Sequence, residues 1–347
     1  LTTPMNASRN APSTPTDAPT DSPTDAAVNT VRGTPADATV ALRSELATLV
    51  TESANPHYPD LAALTTTELA AAMNTEDALV PATIQRHVPT IAAIIDQVAT
   101  RMQAGGRLIY VGAGTPGRVG ILDASECPPT FGTDPSKVVG VIAGGSTAVN
   151  QAVENAEDSG EAAQRDMAAL KLTKNDSVIG MAASGRTPYV IAAVTAARQH
   201  GAYTVGFACN ESSPLGNAAD TALEIVVGPE ILAGSTRLKA GTCQKLVLNM
   251  ISTLTMVRLG KTYKNFMVDL RATNAKLRAR SERTLMRATD CDSATATATL
   301  EATGGHVKAA ILAIMTGLPA TRAIELLEEN NGFLPAAISA NSTTGTH

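Results

Sequence analysis

Between residues 107 and 230, five short apolar runs (108–111, 138–143, 178–183, 204–209 and 223–227) alternate with stretches of helical character. Near-continuous apolar runs of this length are the mark of strands buried on both faces. Strands separated by helices imply right-handed crossovers, hence a parallel sheet with helices on both sides. The expected fold class is therefore α/β, a doubly wound parallel five-stranded sheet. Ligands bind such sheets beyond the carboxyl ends of the strands. Three runs end in turns bearing glycine or hydroxyl groups, GAGTPG (112–117), AGGST (143–147) and AASGRT (182–187), and these should line the crevice.

The flanks read differently. Residues 1–40 are rich in Thr, Pro, Ala and Asp, with PTD at 15–17 and again at 23–25. Such a segment cannot bury enough apolar surface to offset its ordering and is expected to be a disordered tail. From 41 to 102 the pattern is helical: a short helix over 67–73, then one over 81–102 with Ile84, Val88, Ile91, Ile94, Ile95 and Val98 at helical spacing. Another helix is expected over 239–259. Beyond Asp269 three short helices (292–303, 306–315, 319–328) are punctuated by Gly304-Gly305 and Gly317-Leu318-Pro319. The expected division is a tail at 1–40, a sheet domain with N-terminal helices at 41–268, and a helical subdomain at 269–340.

Aromatic residues make up 3% of the chain and Trp is absent, so the core must be aliphatic. No basic stripe with interleaved aromatics suggests nucleic acid as a partner. No apolar run reaches membrane-spanning length, and no signal-peptide pattern opens the chain. Cys127, Cys209, Cys243 and Cys291 are scattered without a CxxC pair, and the histidines are equally dispersed. That argues for reduced thiols in a cytoplasmic protein, with no metal and no cofactor.

GAGTPG formally fits the dinucleotide pattern GxGxxG. A dinucleotide site also needs an acidic residue at the end of the second strand, and residues 141–145 offer none. What remains is a strand, a glycine turn and a helix N-terminus, an arrangement that attracts anions. The helical segment after it, 118–125, is expected to stop at Cys127-Pro128-Pro129, leaving Glu126 at the stop. Ser184 and Thr187, beside the free N–H groups of the next helix, suit a phosphate monoester, or one of them caps that helix. Arg186 either reaches the phosphate or points to solvent.

GAGTPGRVGILDASECPPTFG (112–132), AVENAEDS (152–159), AASGRTPYVIA (182–192), GPEILAGSTRLKAGTCQKLVLNM (228–250) and NFMVDLRATN (265–274) closely resemble the bacterial N-acetylmuramic acid 6-phosphate etherases of the sugar isomerase (SIS) superfamily. The likeness runs over about 51–338. It implies a five-stranded SIS sheet, a small C-terminal helical subdomain, and a homodimer with sites near the subunit interface. It also implies cleavage of the lactyl ether of N-acetylmuramic acid 6-phosphate to N-acetylglucosamine 6-phosphate and D-lactate, in cell-wall recycling or scavenging.

In the opened sugar the aldehyde acidifies the C2 proton, so one carboxylate can remove it while a protonated carboxyl group serves departing lactate. By resemblance Glu126 is that acid and Glu157 the base. Thr115, Gly117, Ser184, Gly185 and Thr187 would hold the substrate phosphate. Lys239 would touch the sugar or polarise the aldehyde oxygen, or else sit on the surface. The family pattern reads GAGTSGR, whereas Pro116 stands here in place of the serine, removing a hydroxyl and an N–H from the anion cradle. Two rival readings share the cradle: an SIS sugar-phosphate isomerase, and a non-catalytic sugar-phosphate sensor like the glucokinase regulatory proteins.

Overall fold

The computed structural model describes residues 43–44, 46–269 and 275–344. Leu1–Ser44 and Glu45–His347 form two units, and the following concerns the second. The expected tail at 1–40 lies outside the described residues, as do 270–274 of the NFMVDLRATN block.

Strands β1 (Leu108–Gly112), β2 (Val138–Ile142), β3 (Ser177–Met181), β4 (Tyr203–Ala208) and β5 (Thr221–Glu224) form one parallel sheet in the order β2-β1-β3-β4-β5. Every residue of β1 and β3 is buried, which is why these segments read as unbroken apolar runs. Strand order reverses between β1 and β3, so the loops after β2, β1 and β3 lie side by side at the carboxyl edge. Short strands β6 (Thr262–Tyr263) and β7 (Phe266–Met267) form a separate antiparallel hairpin.

The helices before and within the sheet region are α1 (Thr66–Asp77), α2 (Leu79–Gln85), α3 (Val88–Gln103), α4 (Gly114–Phe131), α5 (Thr147–Asn150), α6 (Gly160–Ala169), α7 (Pro188–Gln199), α8 (Pro214–Ala218) and α9 (Lys239–Arg258). On one face of the sheet, Ile91, Ile94 and Val98 of α3 pack with Val247, Leu248 and Ile251 of α9. On the other face Ala163 and Met167 of α6 pack with Val190 and Val194 of α7.

Two expectations are corrected. The helix over 81–102 is broken at Arg86-His87, and the chain turns by 65° between 66–85 and 88–103. Pro89 lacks an N–H and disfavours helical backbone at Val88, so the apolar spacing runs on across the break. Conversely, α4 does not stop at Cys127. It runs through Pro128 and Pro129 to Phe131 and closes on Gly132, in the left-handed region at φ 61°. Proline's fixed φ is itself helical, and burial of Cys127 and Phe131, at about 1.5–3 kcal/mol for a large apolar side chain, offsets the lost bonds. Gly132 is pressed against the following segment, for a Cβ there would lie 2.0 Å from the carbonyl oxygen of Asp269.

The C-terminal helices are α10 (Ala275–Thr289), α11 (Ser293–Ala302), α12 (Val307–Thr316), α13 (Ala320–Glu329) and α14 (Leu334–Thr344). They share their own core, with Leu285, Ile311, Leu312 and Leu334 fully buried. The sequence suggested α11, α12 and α13, and missed α10, α14 and the β6–β7 hairpin. Asp269, where the bundle begins, holds Lys308 of α12 at 2.8 Å and Lys261 at 3.0 Å. Among the described residues, no single helix is long and apolar enough to cross a membrane.

Candidate active site

The crevice is built from backbone. Gly114, at φ 56°, opens α4 with nothing within 4 Å of where a Cβ would stand, so a ligand can approach the chain there. Thr115 follows, half-buried, beside α9, since a Cβ on Gly241 would lie 3.3 Å from its methyl. Gly117 packs against the sheet. It is buried, and a Cβ there would meet Ile142 at 2.6 Å and the Gly112 carbonyl oxygen at 2.9 Å, so it lets α4 seat on the sheet. Arg118 then fixes the neighbouring loop, donating from Nε to the Val149 carbonyl (2.9 Å) and from Nη2 to that of Gln151 (3.3 Å).

After β3, the Ser184 hydroxyl accepts the Arg186 N–H at 3.2 Å, and Gly185 adopts φ 72° with no room for a side chain against Ser213. Thr187 precedes α7 yet makes no capping bond. The bland alternative, that these hydroxyls merely cap the helix, therefore fails for Thr187. The helix N-termini of α4 and α7 lie at the same carboxyl edge of the sheet, an arrangement suited to an anion, although Pro188 brings no N–H and the Val190 N–H is already bonded to the Thr187 carbonyl at 3.1 Å.

Lys239 is not at the surface. Its side chain is 2% exposed and its ammonium is ion-paired with Glu76 of α1. Burial opposes ionisation of Glu76, but hydrogen bonds from Lys239 and Asn55 and the nearby charges of Lys239 and His57 hold its carboxyl below the usual range. Glu230, also buried, caps α9 by accepting the N–H groups of Lys239 (2.9 Å) and Ala240 (3.0 Å). Burial pushes the Glu230 carboxyl up against the pull of those two bonds. Asn210 secures the N-terminal segment over the sheet, accepting the Val50 N–H at 2.8 Å and donating to Thr51 Oγ1 and the Ala183 carbonyl.

The two carboxylates fall in different places. Glu157 is exposed on a single 3-10 turn (Ala156–Asp158) whose Ala156 packs on the α6–α7 core. It thus follows the β2 loop, on the side of the crevice. Glu126 is exposed far down α4, about 18 Å from Gly114 along an axis rising about 1.5 Å per residue. Along its own helix, Glu126 therefore stands well away from the glycine turn that opens the crevice.

Glu126 instead lines a cavity of about 390 Å³ with Asp123, Asn249, Phe131, Asn265 and Phe266. Asp123 is buried and fully engaged, accepting from Tyr110 Oη (2.8 Å), Asn249 Nδ2 (2.6 Å) and Ser252 Oγ (3.0 Å). Burial and the Asp123 charge push the Cys127 thiol up to about 12, so Cys127 is no nucleophile. A larger cavity, about 1040 Å³, lies among the C-terminal helices and includes none of the candidate catalytic or phosphate-binding residues read from sequence.

Residues 90–198 match the glucokinase regulatory protein N-terminal SIS domain family, and residues 147–254 the SIS domain family. The N-acetylmuramic acid 6-phosphate etherase of Streptomyces avermitilis is 58% identical over 300 residues, spanning 86% of this chain and 96% of the relative. The etherase of Vibrio atlanticus is 51% identical over 301 residues (87% and 98%), and that of Klebsiella aerogenes 50% over 295 (85% and 98%). Identity of this order across nearly the whole length of each relative, on a five-stranded parallel sheet, places the chain in the N-acetylmuramic acid 6-phosphate etherase family of carbon–oxygen lyases.

Proposed function

We propose that this lyase opens the D-lactyl ether of N-acetylmuramic acid 6-phosphate by elimination and rehydration, with its two carboxyl groups supplied by different subunits. The phosphate sits on the N–H groups and hydroxyls around Gly114, Thr115, Ser184, Gly185 and Thr187. Glu157 takes the C2 proton of the ring-opened sugar, the C3–O bond breaks, and Glu126 passes its proton to the departing lactate oxygen. Water then adds at C3, giving up a proton, while C2 regains one. The products are N-acetylglucosamine 6-phosphate and D-lactate, and no metal or redox cofactor is needed for the balance.

The observation that carries this reading is the separation of Glu126 from the crevice of its own chain. Chemistry needing both acids at one sugar then calls for a second copy. Leu122, one turn before Glu126, and Leu254 and Val257 of α9 are exposed, and Val257 also lines the Glu126 cavity. A two-fold pairing that covers this apolar face presents each Glu126 to the partner's crevice. On this reading residues 41–268 hold the substrate machinery, 269–340 act as a subdomain beside Glu126, and the enzyme works in the cytoplasm.

Incubation with N-acetylmuramic acid 6-phosphate and assay of free D-lactate tests the reaction, since an isomerase or a sugar-phosphate sensor would release none. A second expectation concerns Pro116, half-buried in the first turn of α4. Pro116→Ser restores a hydroxyl and an N–H to the cradle and should tighten N-acetylglucosamine 6-phosphate binding roughly tenfold, the worth of one hydrogen bond to a charged group. An unchanged Kd by calorimetry would show that Pro116 does not face the phosphate.

A further inference from the structure

The β6–β7 hairpin was not foreseen from sequence, and it walls the cavity that holds Glu126. Its loop is two residues, Lys264 and Asn265, with Lys264 at φ 51°. Lys264 lines the cavity, but its ammonium is turned to the Ala288 carbonyl (3.4 Å) and lies 5.5 Å from the centre of the Tyr263 ring. Asn265 is exposed, and its side-chain amide has no partner among the described residues. Across the cavity stands Asn249, whose amide is oriented by its bond to Asp123. Phe131, Phe266, Met267 and Val257 supply apolar wall.

If Glu126 protonates the oxygen leaving C3, the atoms nearest that oxygen are those of the lactyl group. They are one methyl and one carboxylate, both on the carbon next to the ether oxygen. A pocket for that group needs an apolar patch, a neutral or cationic donor, and no free carboxylate apart from the acid. The Glu126 cavity meets these terms, because Asp123 is occupied by three donors and faces inward.

We propose that this cavity is the lactyl subsite and that the Asn265 amide donates to the lactyl carboxylate, making Asn265 a specificity residue for the etherase reaction. The hairpin then reads the substituent that distinguishes N-acetylmuramic acid from N-acetylglucosamine, while the phosphate cradle reads what the two share. This rests on the assignment of Glu126 as the acid.

The test compares Asn265→Ala and Asn265→Asp with the unaltered enzyme, using N-acetylmuramic acid 6-phosphate as substrate and N-acetylglucosamine 6-phosphate as competitive inhibitor. Asn265→Asp sets a negative charge against the lactyl carboxylate and should raise KM by about tenfold or more. Asn265→Ala should raise it less. Inhibition by N-acetylglucosamine 6-phosphate, which lacks the lactyl group, should stay within about twofold, because its grip is elsewhere. A substrate whose lactyl carboxylate is replaced by a carboxamide gives a second readout. The unaltered enzyme should discriminate against it, and Asn265→Asp should lose most of that discrimination.

An unchanged KM in both variants, or equal losses for substrate and inhibitor, would overturn the subsite. Failure of its foundation looks different: Glu126→Ala would still release lactate at the normal rate.

Discussion

Glu126→Ala and Glu157→Ala are each expected to slow D-lactate release by roughly a thousandfold, the usual worth of a positioned acid or base. Mixed, they should recover activity. In a dimer carrying one copy of each, a site that draws Glu126 from one chain and Glu157 from the other is intact once and doubly damaged once. Random exchange of equal amounts makes half the dimers mixed, so about a quarter of normal turnover should return. The measurement is lactate release after the two inactive proteins are exchanged by unfolding and refolding together. If no activity returns while the mixture refolds as fully as the parents, both acids act from the same chain. The 18 Å of helix between Glu126 and its own crevice would then have to be closed by movement within one subunit.

The second large effect is on stability. Lys239→Ala removes the partner of a carboxylate that is itself buried, Glu76. Breaking one side of a buried ion pair costs about 3–5 kcal/mol, which for a chain of this length lowers Tm by about 10 °C. Replacing both partners, Lys239→Met with Glu76→Leu, should return most of the loss, because neither charge is then stranded. The sign with pH follows from the depressed Glu76 carboxyl. Its stabilising contribution is present above the ordinary carboxylate value and is lost as pH falls through the lower folded value. The gap between the unaltered protein and Lys239→Ala should therefore narrow in acid. A Lys239→Ala enzyme with normal Tm and collapsed kcat would instead mean that the lysine reaches the substrate.

These two cases mark where sequence reasoning succeeds and where it stops. The glycine turns after β1 and β3 were legible because their parts are local: an apolar run, then glycine and hydroxyl residues within a few positions of the strand end. The parallel sheet was legible for a similar reason, since a strand covered on both faces tolerates little that is polar. Lys239 was misplaced because its partner is far away in the chain, and nothing near it announces that its side chain turns inward. The helix end near Glu126 was misplaced because two prolines are a strong local signal, and here burial of Cys127 and Phe131 outweighs it. α10 escaped notice because AKLRARSERTLMRAT carries six charged residues in fifteen, leaving a thin apolar stripe of which only Leu285 is fully buried. Residues 262–267 gave no strand signal, as a hairpin of two-residue strands hardly can.

The contact between Gly132 and Asp269 joins the far end of the long helix to the start of the C-terminal bundle, with Asp269 gripping two lysines as it does so. The acid near that end is therefore coupled mechanically to the bundle, while the opposite end of the same helix is anchored on the sheet. Any tilt of the bundle would act on the Glu126 end of that helix, about 18 Å along the helix from the glycine turn at Gly114. In a paired enzyme such a lever would withdraw the proton donor from the neighbouring sugar while the phosphate stays seated, letting lactate leave first.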